Sequence, residues 1–180
     1  MMVTRRDYVW RRWHQVLDRL GFNRGWLLEL SAYYRQMTIQ EFCVRYTIGR
    51  MDAATLWERK PRTGESDYRA FYAEGGYFVL RQMYHSRNEC YYAVADSMRS
   101  AGAPGDFCEY GCGVAPVTTW LRPRFSRWCY TLMDLPAPML KFARWRFRGA
   151  PNVEAKEPGF GADLPLTRDY DVITCMDVLE

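Results

Sequence analysis

Ten residues, Phe107-Cys108-Glu109-Tyr110-Gly111-Cys112-Gly113-Val114-Ala115-Pro116, constrain this chain more than any other stretch. A short apolar run reaches an acid, turns through two glycines and enters a segment with helical spacing. Gly111 and Gly113 permit a tight turn and close approach of a ligand to the backbone, where a Cβ would stand in the way. Open α/β folds place such a strand-turn-helix unit at the carboxyl edge of a parallel sheet, beside nucleotide-like ligands. Asp134 ends the next apolar run.

The residues after Gly102 alternate between short apolar runs and helical patterns. Phe107–Tyr110, Trp128–Met133, Asn152–Lys156 and Tyr170–Met176 read as strands, the third of them weak. Between them lie helices over Val114–Leu121, closed by Pro123, and from Pro136 and Pro138 to Phe147, ended by Gly149. Prolines are tolerated at such a helix start. A β-α-β-α-β order predicts a parallel sheet with right-handed crossovers.

The preceding residues read as helices throughout. Apolar positions from Thr4 to Leu20 recur at helical spacing, followed by helices over Gly25–Met37 and from Thr38 through Tyr46. Asp52 is placed as the cap of a separate short helix carrying Leu56 and Trp57, which stops before Pro61. Further helices are expected over Asp67–Glu74 and Tyr77–Tyr84, and from Ser86 to Met98 with Gly102 at the end. Thr4-Arg5-Arg6-Asp7, Thr38-Ile39-Gln40-Glu41 and Ser86-Arg87-Asn88-Glu89 have the form of capping boxes. The division is therefore a helical region, 1–102, before a sheet-forming region, 103–180.

With 48% hydrophobic residues in 180, the chain has ample core material and is not of disordered composition. Its net charge of +4 is too mild to mark a nucleic-acid binder on its own. Arg5, Arg6, Arg11, Arg12 and Arg19 with Trp10 offer a basic aromatic face, but no binding motif accompanies it and a solvated helix face is the favoured reading. The six cysteines show no C-x-x-C spacing, which favours reduced thiols over a zinc site. His14 and His85 have no partner at ligand spacing, so no metal site is expected. No apolar signal core or span-length stretch is present, and a cytoplasmic protein is expected.

Which ligand the turn takes is narrowed by two residues. A dinucleotide turn, G-x-G-x-x-G, needs its third glycine at position 116, where this chain has Pro116. Glu109 would also set negative charge beside a pyrophosphate. An NAD(P)-dependent oxidoreductase is thus the lesser alternative.

Glu109-x-Gly111-Cys112-Gly113, with Ala115 in the last small position, resembles the first motif of class I S-adenosylmethionine-dependent methyltransferases. Asp134 matches the acid that follows their second strand. Asp163-Leu164-Pro165-Leu166 is similar to the segment before their fourth strand, and Tyr170–Glu180 to the fourth-strand motif itself. The resemblance covers 107–180 and implies a Rossmann-like sheet, partial at about four strands, with S-adenosylmethionine as cofactor.

It also implies roles. The backbone from Gly111 through Cys112 to Gly113 passes under the methionine part, with Glu109 near its amino group and Tyr110 and Ala115 beside the turn. Asp134 takes the ribose hydroxyls and Leu135 lies on the adenine. Ala162 and Asp163 are the adenine-edge candidates, and Met176 and Asp177 face the sulfonium and the acceptor. For Asp177, capping of a following helix is an equal alternative. The chemistry implied is in-line SN2 transfer of the methyl group to a small-molecule or lipid-like acceptor, with the helical region as lid and pocket wall. Positioning supplies much of the rate in such a transfer, and the sequence identifies no catalytic base. The remaining alternative class is a non-catalytic nucleic-acid-binding protein. The family's sheet continues beyond a fourth strand, so the sequence suggests a C-terminally truncated fragment with an exposed strand edge and little activity of its own.

Overall fold

The computed structural model describes residues 25–59, 64–73, 76–85, 90–102, 104–158, 166 and 168–176, the side chains at 56, 57 and 65 excepted. The helix expected over Thr4–Leu20 and the capping boxes at 4–7 and 86–89 lie outside them. The chain divides into two compact units, Met1–Phe42 and Cys43–Glu180. The sequence division at 102/103 marks the change from helices to sheet instead.

In the first unit, α1 (Gly25–Tyr33) buries Leu30. A turn through Arg35 and Gln36, both with positive φ, leads to α2 (Ile39–Arg59). The capping box that starts α2 is formed. The Glu41 N–H donates to Thr38 Oγ1 at 3.1 Å, and the Thr38 N–H donates to Glu41 Oε2 at 2.8 Å. Trp26 meets Phe42 edge-on at 4.8 Å.

From there α2 runs without a break to Arg59, which corrects the separate helix expected at Asp52. No proline interrupts the run, and Asp52 lies inside it as an exposed helical residue. Gly49, also internal, has a packing reason: a Cβ there would lie 2.7 Å from that of Tyr77.

The second unit continues with α3 (Glu65–Ala73), α4 (Gly76–His85) and α5 (Cys90–Ala101). Then come β1 (Asp106–Tyr110), α6 (Pro116–Leu121), β2 (Cys129–Met133), α7 (Pro138–Arg146), β3 (Val153–Lys156) and β4 (Val172–Cys175). The strands form one sheet in the order β3-β2-β1-β4, with every pair parallel. The chain moves outward from β1 to β3 and returns to the other side of β1 for β4. The strand order therefore reverses between β1 and β4, the place where open α/β sheets leave a crevice at their carboxyl ends.

Phe107 stands opposite Tyr130 and Val172, and Glu109 opposite Leu132 and Thr174, so these residues share one face of the sheet. That face carries the core. Tyr91, Val94, Ala95 and Met98 of α5 join Val117 and Leu121 of α6, together with Phe107, Trp128 and Tyr130. Leu140 and Ala143 of α7 pack with Leu132, Cys112 and Ala115. Burying such side chains stabilises a domain by about 1.5–3 kcal/mol each, and here the same contacts hold the glycine turn against the sheet.

The ends of the strands follow local chemistry. The Asp106 N–H donates to Asp171 Oδ2 at 2.8 Å, and the Asp171 N–H to the Asp106 carbonyl at 2.9 Å. This clip sets the start of β4 at Val172 rather than Tyr170. Helix α6 begins at Pro116 and not at Val114, because the turn extends through Ala115, whose φ is 54°. A left-handed non-glycine residue costs about 1–2 kcal/mol.

Candidate functional site

The site is the turn joining β1 to α6, and its backbone donors can be followed one by one. The Cys112 N–H donates to the Met133 carbonyl at 3.0 Å, which ties the turn to β2. The Gly113 N–H donates to Asp134 Oδ2. The Val114 N–H donates to Gln82 Oε1 at 2.9 Å, and the Ala115 N–H to the Cys112 carbonyl at 2.7 Å. Pro116 has no N–H. The Val117 and Thr118 N–H groups donate to Glu109 Oε1 and Oε2 at 3.2 and 2.8 Å. Buried backbone donors have to be matched somewhere, and from Cys112 to Thr118 each is matched by an acceptor of the protein.

A turn made to cradle a pyrophosphate keeps such amides for the ligand. This one fills four of those positions with three of its own side chains, two of them carboxylates. The structure thus adds a reason against a dinucleotide to the one that Pro116 supplied.

Glu109 is 4% exposed at the carboxyl end of β1, and both of its oxygens are held by the first turn of α6. The geometry gives it a part in building the turn, as the side chain that seats α6 on the sheet. Burial pushes its carboxyl up to about 7, and the two amide donors work against that rise. A carboxyl whose folded pKa is raised from 4.5 stabilises the fold most when protonated, below pH 4.5, and that contribution is lost as pH rises through 7. The stability of the wild type relative to Glu109→Gln is therefore expected to fall between pH 5 and pH 8, at a slope of up to about 1.4 kcal/mol per unit. Thermal melts of both proteins across that range measure it, and a constant difference would contradict it.

Asp134, just beyond β2, is half-buried. Its Oδ2 accepts the Gly113 N–H and its Oδ1 the Leu135 N–H at 2.7 Å. Burial raises its carboxyl above the ordinary value, and these two donors oppose the rise. A carboxylate has about four acceptor positions, so two bonds to the backbone fix its plane and leave capacity for hydroxyl groups. Leu135 is half-buried beside it.

Tyr110, Gly111, Cys112, Gly113 and Ala115 are brought together with Glu109, Asp134 and Leu135 at the carboxyl edge of β1 and β2. Gly111 and Gly113 have φ of 66° and 53°, as a turn requiring glycine predicts. Cys112 and Ala115 are buried. Burial pushes the Cys112 thiol well above its ordinary value and the Cys108 thiol to about 11, so both act as small apolar groups. Met176 follows β4 and is half-buried. Ala162, Asp163 and Asp177 lie outside the described residues.

Two contributors escaped the sequence reading. Gln82 belongs to α4, three residues after the buried Val79, and a polar side chain on that apolar face was the available signal. Arg146 of α7 donates from Nη1 to the Val114 carbonyl at 2.6 Å and to Thr119 Oγ1 at 3.0 Å. It clasps the exit of the turn. His85, expected to be isolated, has Tyr46 Oη 2.8 Å from its Nε2. Among the described residues no group of three or more His, Cys, Asp or Glu is placed to hold a metal ion. Likewise, no described helix is long and apolar enough to cross a membrane.

Residues 108–180 match the family model described as "Methyltransferase domain". The turn, Asp134 and all four parallel strands fall in or at the edge of that segment. The all-parallel four-stranded sheet with its flanking helices is a Rossmann-like fold. Among solved structures, the chain is similar to coclaurine N-methyltransferase bound to N-methylheliamine and SAH, at 14% identity and a TM-score of 0.39. That match covers 85% of this chain and 48% of the other, so the chain spans about half the length of that structure. Among curated proteins none matches.

Proposed function

We propose that this protein binds S-adenosylmethionine at the Glu109–Ala115 turn and methylates a small-molecule or lipid-like acceptor. The observation that carries the reading is the filling of the turn's amides by Asp134, Gln82 and Glu109. The site offers Asp134 as an acceptor to hydroxyls, and no free cradle for phosphates. The residues therefore fit a nucleoside with an amino-acid end.

When bound, the cofactor supplies an electrophilic methyl group on sulfur. The protein's share is placement. Asp134, fixed by the amides of Gly113 and Leu135, is set to receive two ribose hydroxyls without moving. Leu135 offers an apolar surface for the adenine. Gly111, at a φ of 66°, keeps the turn low where the amino-acid end passes, and Gly113 leaves room for the Gln82 carboxamide. Glu109 keeps α6, and with it the turn, in register with β1. Alignment of this kind lowers a barrier through orientation rather than through acid or base chemistry.

Ultraviolet cross-linking of radiolabelled S-adenosylmethionine to the full chain tests the proposal. Label is expected on the protein and is expected to be displaced by S-adenosylhomocysteine but not by NADH. Displacement by NADH alone would favour the oxidoreductase alternative.

A further inference from the structure

Gln82 stands on the helical side of the molecule, yet it is bonded to the middle of the glycine turn. Its Oε1 accepts the Val114 N–H at 2.9 Å. Because a backbone N–H can donate only to the oxygen, the orientation of the carboxamide is fixed and Nε2, with its two N–H groups, forms the other arm. A Cβ built on Gly113 would lie 2.0 Å from Gln82 Oε1 and 2.6 Å from Nε2. The carboxamide thus covers the α-carbon of Gly113 and occupies the space that a side chain there would need.

The amino-acid end of S-adenosylmethionine carries a carboxylate as well as an ammonium group. The amides of the turn that would receive a carboxylate, Cys112 to Thr118, are bonded to protein acceptors. Arg146, the cation bonded to the turn, is engaged with Val114, Thr119 and the Met83 sulfur. What the turn does present is the Nε2 donor of Gln82, lying over Gly113.

We infer, on the strength of the cofactor reading above, that Gln82 is a cofactor-binding residue whose Nε2 donates to the carboxylate of the methionine end. Helix α4 then reads the amino-acid half of the ligand, while Asp134 reads the nucleoside half. The two side chains hold neighbouring amides, those of Val114 and Gly113, so each is positioned by the same turn.

Titration calorimetry of the full chain with two probes tests this. S-adenosylhomocysteine has the amino-acid end; 5′-methylthioadenosine keeps the nucleoside thioether and lacks that end. Gln82→Glu retains an oxygen for the Val114 N–H but replaces the Nε2 donor by a second oxygen. It is expected to weaken S-adenosylhomocysteine about tenfold or more, the scale of one lost hydrogen bond to a charged group. Binding of 5′-methylthioadenosine is expected to stay within about twofold. Gln82→Ala, which also removes the acceptor, is expected to weaken the first probe more than the second. Parallel losses for both probes, or unchanged S-adenosylhomocysteine binding in Gln82→Glu, would overturn the assignment while leaving the cofactor reading in place. A wild type that binds neither probe would overturn both.

Discussion

Asp134→Ala is expected to reduce S-adenosylhomocysteine affinity by about a hundredfold or more while leaving the protein folded. The affinity loss follows from two hydrogen bonds to a charged acceptor, each contributing about 1.5–3 kcal/mol, and each 1.4 kcal/mol corresponds to about tenfold. The effect on stability has opposing parts. The substitution strips the Gly113 and Leu135 amides of an acceptor. It also removes a carboxylate that burial disfavours, as the raised pKa of Asp134 shows. Because the residue is only half-buried, water can replace the lost acceptor in part. Calorimetry for affinity and a thermal melt for stability separate the two. A variant that binds as tightly as the wild type would remove Asp134 from the ligand.

Gly113→Ala is expected to damage both stability and binding, for two separable reasons. At a φ of 53°, any Cβ carries the left-handed penalty of about 1–2 kcal/mol. The new methyl group would also lie 2.0 Å from Gln82 Oε1. The carboxamide is the far end of a flexible chain and can swing away, but only by giving up the Val114 amide. That hydrogen bond accounts for roughly another 1 kcal/mol. Coupling between the positions distinguishes the contributions. In a Gln82→Ala background the clash is absent, so Gly113→Ala should cost only the backbone term. Equal destabilisation in both backgrounds, measured by denaturant unfolding, would show that Gln82 is not what the glycine accommodates.

These two experiments bear on different links of the same chain of causes. The strand-turn-helix unit was legible because its signals are local. The glycines at 111 and 113 and the short apolar runs of β1 and β2 each act within a few residues of themselves, whereas the helix start at Pro116 was expected at Val114. Asp134 was legible for the same reason, as the polar residue that ends a buried strand. Its bond to Gly113 was not, because it spans 21 residues and depends on β1 and β2 lying side by side.

The misses share that cause. Gln82 and Arg146 each meet Val114 across 32 residues, and Tyr46 meets His85 across 39. Spacing along the chain cannot bring such residues together; packing of α4 and α7 beside the turn does. Helix α2 was divided in the sequence reading because Asp52 is a good cap. In the structure a continuous helical run outweighs that preference, since a cap forms only where the backbone actually leaves the helix. Glu109 shows a third kind of gap. Its place in β1 was legible, whereas its partners, the amides of Val117 and Thr118, depend on where α6 begins. Once Ala115 takes the left-handed turn and Pro116 opens the helix, the carboxylate is directed at the helix start.

The central claim is that this turn was made for a nucleoside with an amino-acid end and not for a pyrophosphate. Equilibrium binding of S-adenosylhomocysteine and of NADH to the wild-type chain, measured side by side by calorimetry, tests it most directly. Micromolar binding of S-adenosylhomocysteine with no detectable heat from NADH is the expected result. Binding of NADH with none of S-adenosylhomocysteine would contradict it.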